Sequence, residues 1–216
     1  MNGSVLSQVI SVLIPLLLHM AVSDVISVLF GGSMDSALCT TVTALLVIPV
    51  AAWMYSGDWK KAKEKELRND FWSFQDKVAF GIVCFLGGGL LNLIWSGILN
   101  LLGIQNAFSN STQEALLAGQ IAVQLAGLGI LVPVAEELIF RVLIYGRMKR
   151  FLAVIPAAVL SSLLFAVYHG NPIQMIFAFP MAMALTAVFE KGKLFVYPVL
   201  FHMGANLLAV LLNFFL

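Results

Sequence analysis

Residues 116–145 read LLAGQIAVQLAGLGILVPVAEELIFRVLIY, an almost uninterrupted apolar run that nevertheless carries Glu136, Glu137 and Arg141. A transmembrane helix needs about 20 mostly apolar residues, and this run exceeds that. An ionisable group at mid-bilayer costs about 2.5–3.5 kcal/mol on insertion scales, so three placed in lipid separately cost on the order of 10 kcal/mol. The stretch therefore reads as a membrane helix whose charged groups face one another or a wet cavity.

The rest of the chain agrees. Of 216 residues, 61% are hydrophobic and only 11% are charged, against about 25% charged in soluble domains. One core cannot hide that surplus, so lipid must cover it. The apolar runs are about 5–30, 34–55, 78–102, 116–145, 152–169, 172–189 and 194–216. Backbone amides in lipid must bond within their own segment, which predicts an all-α, polytopic bundle of about seven transmembrane helices. No basic n-region or cleavage pattern precedes the first run, so it is expected to be retained. The long fourth run is expected to tilt or to extend beyond the membrane.

Charge sets the expected sidedness. Lys and Arg occur at 60, 61, 63, 65, 68 and 77, at 147, 149 and 150, and at 191 and 193. These are the second, fourth and sixth connections, which place the N-terminus in the cytoplasm by the positive-inside rule. The net charge of +1, with no basic tract, argues against nucleic acid as a partner. Residues 56–77 read as a solvated linker in which Glu64 and Arg68 pair, and Trp59, Phe71, Trp72 and Phe74 sit at the headgroups. Cys39 and Cys84 read as packing residues, as do Met175, Met181 and Met183. Gly87-Gly88-Gly89 permits close helix contact, and Asn92, Asn100, Gln120 and Gln124 suit interhelical hydrogen bonds. His19 and Asp24 are expected to face water near the outer end of helix one. No internal repeat is visible.

The remaining polar groups of the spans concentrate late in the chain. Glu137 and Arg141 are four apart and can pair on one helix face. Glu136 is turned about 100° away, which leaves it to point into a cavity where a carboxylate can accept and return a proton. His202 and Asn206 share a face and offer two donors suited to an oxyanion. Phe165 lies four before His169 and can brace its ring. Pro133 removes one helix bond just before Glu136. His169, counted along its helix, comes out nearer the outer face than Glu136, so His169-Gly170-Asn171-Pro172 is expected to be a break inside the membrane, tolerable where it lines a cavity.

The pattern Glu136-Glu137-Leu-Ile-Phe-Arg141, then Phe165-Ala-Val-Tyr-His169, then His202-Met-Gly-Ala-Asn206 resembles the CPBP family of intramembrane proteases. That family includes CaaX-type prenyl endopeptidases and bacterial proteins linked to bacteriocin processing and self-immunity. The resemblance covers about residues 130–216, and Phe189-Glu190-Lys191-Gly192-Lys193 departs from the family's usual turn. It implies peptide hydrolysis in which Glu136 and His169 activate water and His202 and Asn206 bind the oxyanion. Glu137, Arg141 and Phe165 would then support the site. It also divides the chain into residues 1–115, the N-terminal helices with their linker, and residues 116–216, a catalytic bundle. The expected partners are membrane lipid and a peptide or protein substrate, possibly lipidated, and the expected place is a bacterial plasma membrane.

Other readings use the same residues. Glu136, His169 and His202 could hold zinc with an open position for water, but no H-E-x-x-H is present, and the reading without a cofactor is preferred. An ion path through the polar cluster lacks the inverted repeat of many transporters. A non-catalytic bacteriocin-immunity protein would keep the fold and not need Glu136.

Overall fold

The computed structural model describes residues 5–62, 72–107 and 110–215, and all their regular structure is helical. α1 spans Val5–Phe30, α2 Ser36–Ala62 and α3 Phe74–Leu101. Two short helices follow, α4 at Ile104–Ala107 and α5 at Ser111–Leu117. α6 runs over Ile121–Met148, α7 over Val154–Tyr168, α8 over Pro172–Gly192 and α9 over Val196–Phe215. The Glu64–Arg68 pair and Phe71 lie outside the described residues, as does the side chain of Trp59.

Among the described residues, five helices (α1, α2, α3, α8 and α9) are long and apolar enough to cross a membrane, and α5 with α6 forms a bent sixth candidate. α7 is a shorter apolar helix. Its 15 residues reach about 22 Å at about 1.5 Å each, short of a hydrocarbon core of about 30 Å. The chain is thus an integral, multi-pass membrane protein, with side chains such as Val28, Leu101 and Ile155 bare on its outer faces.

The expected continuous fourth helix is not one rod. α5 and α6 meet at 105°, because Ala118-Gly119-Gln120 break the run. Gly119 sits against the Asp35 carboxylate, where a Cβ would lie 3.0 Å away. Gln124 Nε2 donates to the carbonyls of Leu117 and Gly119 at 3.0 and 2.7 Å, replacing helix bonds lost at the corner. Past the corner, α6 is the centre of the bundle: Ile139, Phe140, Leu143, Ile144 and Tyr145 are completely buried.

α3 and α9 cross with backbone against backbone. A Cβ on Gly88 would lie 1.8 Å from the Phe201 carbonyl oxygen, and one on Gly204 would lie 1.9 Å from that of Phe85. Asn92 Nδ2 crosses the same seam to the Ala205 carbonyl at 3.0 Å, one of the expected interhelical bonds. Small residues allow this approach, and it seats the part of α9 that carries His202 and Asn206. At one end of the bundle, Asp58 of α2 takes Arg147 at 2.7 Å and Arg150 at 3.2 Å. Lys149 pairs with Glu190 of α8, and Arg147 Nη1 donates to the Ser11 carbonyl of α1. The linker's first part is therefore helical and ion-paired rather than merely solvated.

Candidate active site

α6 is wound wide on both sides of its glutamate pair, with π-helical turns at Gln124–Leu131 and Leu138–Tyr145. Such turns recur at functional sites, and Pro133 gives one of them a chemical consequence. The Val132 N–H reaches five residues back to Gly127. In that register the Leu128 carbonyl awaits the N–H of residue 133, which is proline and has none. Asn206 Nδ2 of α9 fills the gap, donating to Leu128 O at 2.9 Å.

Glu137 and Arg141 pair as their spacing predicts, Nε to Oε2 at 3.1 Å, with both side chains completely buried. The other carboxylate oxygen of Glu137 accepts from His202 Nδ1–H at 2.8 Å. His202 Nε2 faces Glu136 Oε2 at 3.7 Å. The imidazole is therefore held between two adjacent carboxylates that leave α6 in different directions.

Phe165 of α7 is the hub behind this group. Its ring lies 4.6 Å from the Arg141 guanidinium carbon, 4.8 Å from the His169 ring and 6.0 Å from that of His202. Cation–π and edge contacts of this kind fix the rings' orientation. The Phe165 carbonyl accepts from His169 Nδ1 at 2.8 Å. A carbonyl only accepts, so Nδ1 carries the proton and Nε2 is left as the basic nitrogen.

The helix is interrupted between Tyr168 and Pro172. Gly170 adopts φ +67°, and buried Asn171 caps α8 by accepting from the Ile173 N–H at 3.0 Å. His169 is thereby delivered to a cavity of about 70 Å³, lined by Phe165, His169, His202 and Asn206 and closed by apolar α8 side chains, among them Met181 and Leu185. The two histidines and the asparagine thus share one cavity.

Two positions differ from expectation. Glu136 does not line that cavity; it stands beside it, 7% exposed, facing His202 Nε2. His19 does not face water: it is 4% exposed, and its Nε2 bonds to the hydroxyl of Tyr168. Nearness to one end of an apolar helix was a poor guide, because α1 packs along α6 and turns this side chain inward. A signal for this pair was available, since His19 is one of only three histidines and the cost of polar groups in lipid applies to it equally. Among the described residues, no three His, Cys, Asp or Glu side chains come together as a metal-ligand set.

Residues 118–208 match the family described as Type II CAAX prenyl endopeptidase Rce1-like. The chain is also 27% identical over 166 residues to the UPF0177 protein YxdF of Lactococcus lactis subsp. lactis (strain IL1403), an overlap covering 76% of this chain and 88% of that protein. No solved structure matches it.

Proposed function

Because the chain belongs, through residues 118–208, to the Rce1-like CAAX prenyl endopeptidase family, whose members are membrane proteases, we propose that it cleaves a peptide bond within the bilayer by direct attack of water. Glu136 and His169 take a proton from water as its oxygen attacks the scissile carbonyl carbon. His202, as the imidazolium because its Nδ1–H serves Glu137, donates from Nε2 and Asn206 from Nδ2 to the oxyanion, and the proton taken from water passes to the leaving nitrogen as the C–N bond breaks. Glu137, Arg141 and Phe165 hold these groups in place. The substrate is a peptide or membrane-protein segment, and a prenylated C-terminus suits the family. The likeness to a Lactococcus protein supports a bacterial plasma membrane as its place.

The observation that carries this reading is the seating of His202 between Glu136 and Glu137 while its ring shares a cavity with His169 and Asn206. A base, two donors and a cavity that brings them together are what acyl hydrolysis requires. Glu136→Ala and His169→Ala are each expected to lower cleavage by about 10²–10⁴-fold while the protein still inserts and melts as wild type. Comparative peptidomics of cells carrying Glu136→Gln should reveal a peptide that accumulates uncut. Wild-type turnover in either alanine variant rejects the assignment. Turnover retained in chelator, with no zinc in the purified protein, is the result expected of chemistry without a metal.

A further inference from the structure

Beyond the seam at Gly88 and Gly204, toward the start of both helices, α3 and α9 leave a groove of about 580 Å³. That size is within the range of ligand-binding clefts. Phe74, Val78, Ile82 and Leu86, spaced four apart along α3, form one wall, and Val196 and Leu200 help to form the other. Residues four apart share a helix face, and all four α3 side chains are exposed. Gly81 closes the floor, since a Cβ there would lie 3.2 Å from Leu200 Cδ1. From Phe74 to Leu86 the groove runs about 18 Å, at about 1.5 Å per residue. That is close to one leaflet's share of a hydrocarbon core of about 30 Å. Length and chemistry both suit an extended acyl chain.

Among the described residues one charged side chain lines this groove, Lys77, at the end near Phe74. The adjacent carboxylate, Asp76, is turned back to the cap of α3, where it accepts from the Ser73 N–H and hydroxyl at 3.0 and 2.7 Å. It does not line the groove. Aromatic rings frame the same end. Tyr197, a lining residue, meets the Phe80 ring edge-on at 4.8 Å, and Phe80 meets Trp72 at 4.9 Å. The ammonium of Lys191 lies 5.7 Å from the centre of the Phe80 ring. Trp and Tyr gather at the membrane–water interface, so this end lies at headgroup depth and the apolar length descends among the acyl chains.

We propose that the groove binds one anionic phospholipid, with an acyl chain laid along α3 and the headgroup phosphate at Lys77. A purely apolar groove takes any lipid tail, whereas an ammonium at its head selects negative charge. The lipid bridges α3 and α9 beside the seam that seats His202 and Asn206, and its binding does not depend on peptide cleavage.

Native mass spectrometry of the purified chain, stripped of lipid in neutral detergent and titrated with phosphatidylglycerol or phosphatidylcholine of the same acyl chains, tests the site. Wild type should hold one phosphatidylglycerol on the order of fivefold more tightly than phosphatidylcholine. Lys77→Gln should bring the two lipids to parity. Val78→Trp, which fills the groove from an exposed position, should weaken both. Arg150→Gln removes a charge from the basic end but outside the groove, and should keep the preference. Equal retention of the two lipids by wild type overturns the inference, as does a preference that survives Lys77→Gln or falls as far in Arg150→Gln. Undiminished binding by a folded Val78→Trp also overturns it, and Lys77→Gln decides alone should Val78→Trp fail to fold. Retention of a farnesylated Cys-aliphatic-aliphatic-X peptide but of neither lipid overturns it too, and gives the groove to substrate.

Discussion

Glu137 spends its two carboxylate oxygens on different partners, Arg141 on its own helix and His202 on α9. Arg141 is completely buried, and its Nη1 and Nη2 have no hydrogen-bond partner among the described residues. Its charge is balanced by Glu137 and by the face of Phe165. Removing one member of a buried pair costs about 3–5 kcal/mol, because the other stays buried and charged. Arg141→Met is therefore expected to lower the melting temperature in detergent sharply, and adding Glu137→Gln should recover part of the loss; additive losses would show that the pair is not coupled. Half of this was legible in the sequence. The four-residue spacing predicts the Glu137–Arg141 pair, but the link to His202 spans 65 positions, and no local pattern encodes it. His19 faces inward against expectation, because depth along a helix says nothing of which way its faces turn.

α6 makes the case at the level of the element. Hydropathy found its apolar residues, yet hydropathy counts composition and is blind to hydrogen-bond register. It therefore missed both the corner at 118–120 and the π-helical turns. Pro133 hinted at an opened backbone but not at its user, Asn206. The register argument makes a specific prediction. Pro133→Ala restores an N–H that can reach Leu128 O and compete with Asn206 Nδ2. Turnover should fall, by no more than the 10²–10³-fold seen when one oxyanion donor is removed, with thermal stability kept or raised. Unchanged turnover in a variant that folds as wild type would show that Asn206 does not depend on the missing amide.

For the whole molecule, the alternation of basic connections predicted that three of them share a side. The ion pairs joining Asp58 to Arg147 and Arg150, and Lys149 to Glu190, bring those chain segments to one end. In right-side-out vesicles lacking Cys39 and Cys84, an impermeant maleimide should label Ser111→Cys and spare Ser56→Cys until the vesicles are opened; the reverse pattern would put the basic end outside. What the sequence motifs concealed is how the early helices serve the late ones, since α1 sets His19 against Tyr168 of α7 and α3 seats α9. The seating has a mechanical corollary. Where Gly88 and Gly204 let main chain touch main chain, no side chain is present to swing aside. A lateral door at that seam would require the two rods to separate bodily. The cavity's α8 flank is different: it is lined by side chains, Met181 and Leu185 among them, which can turn about their own bonds where the glycine seam cannot.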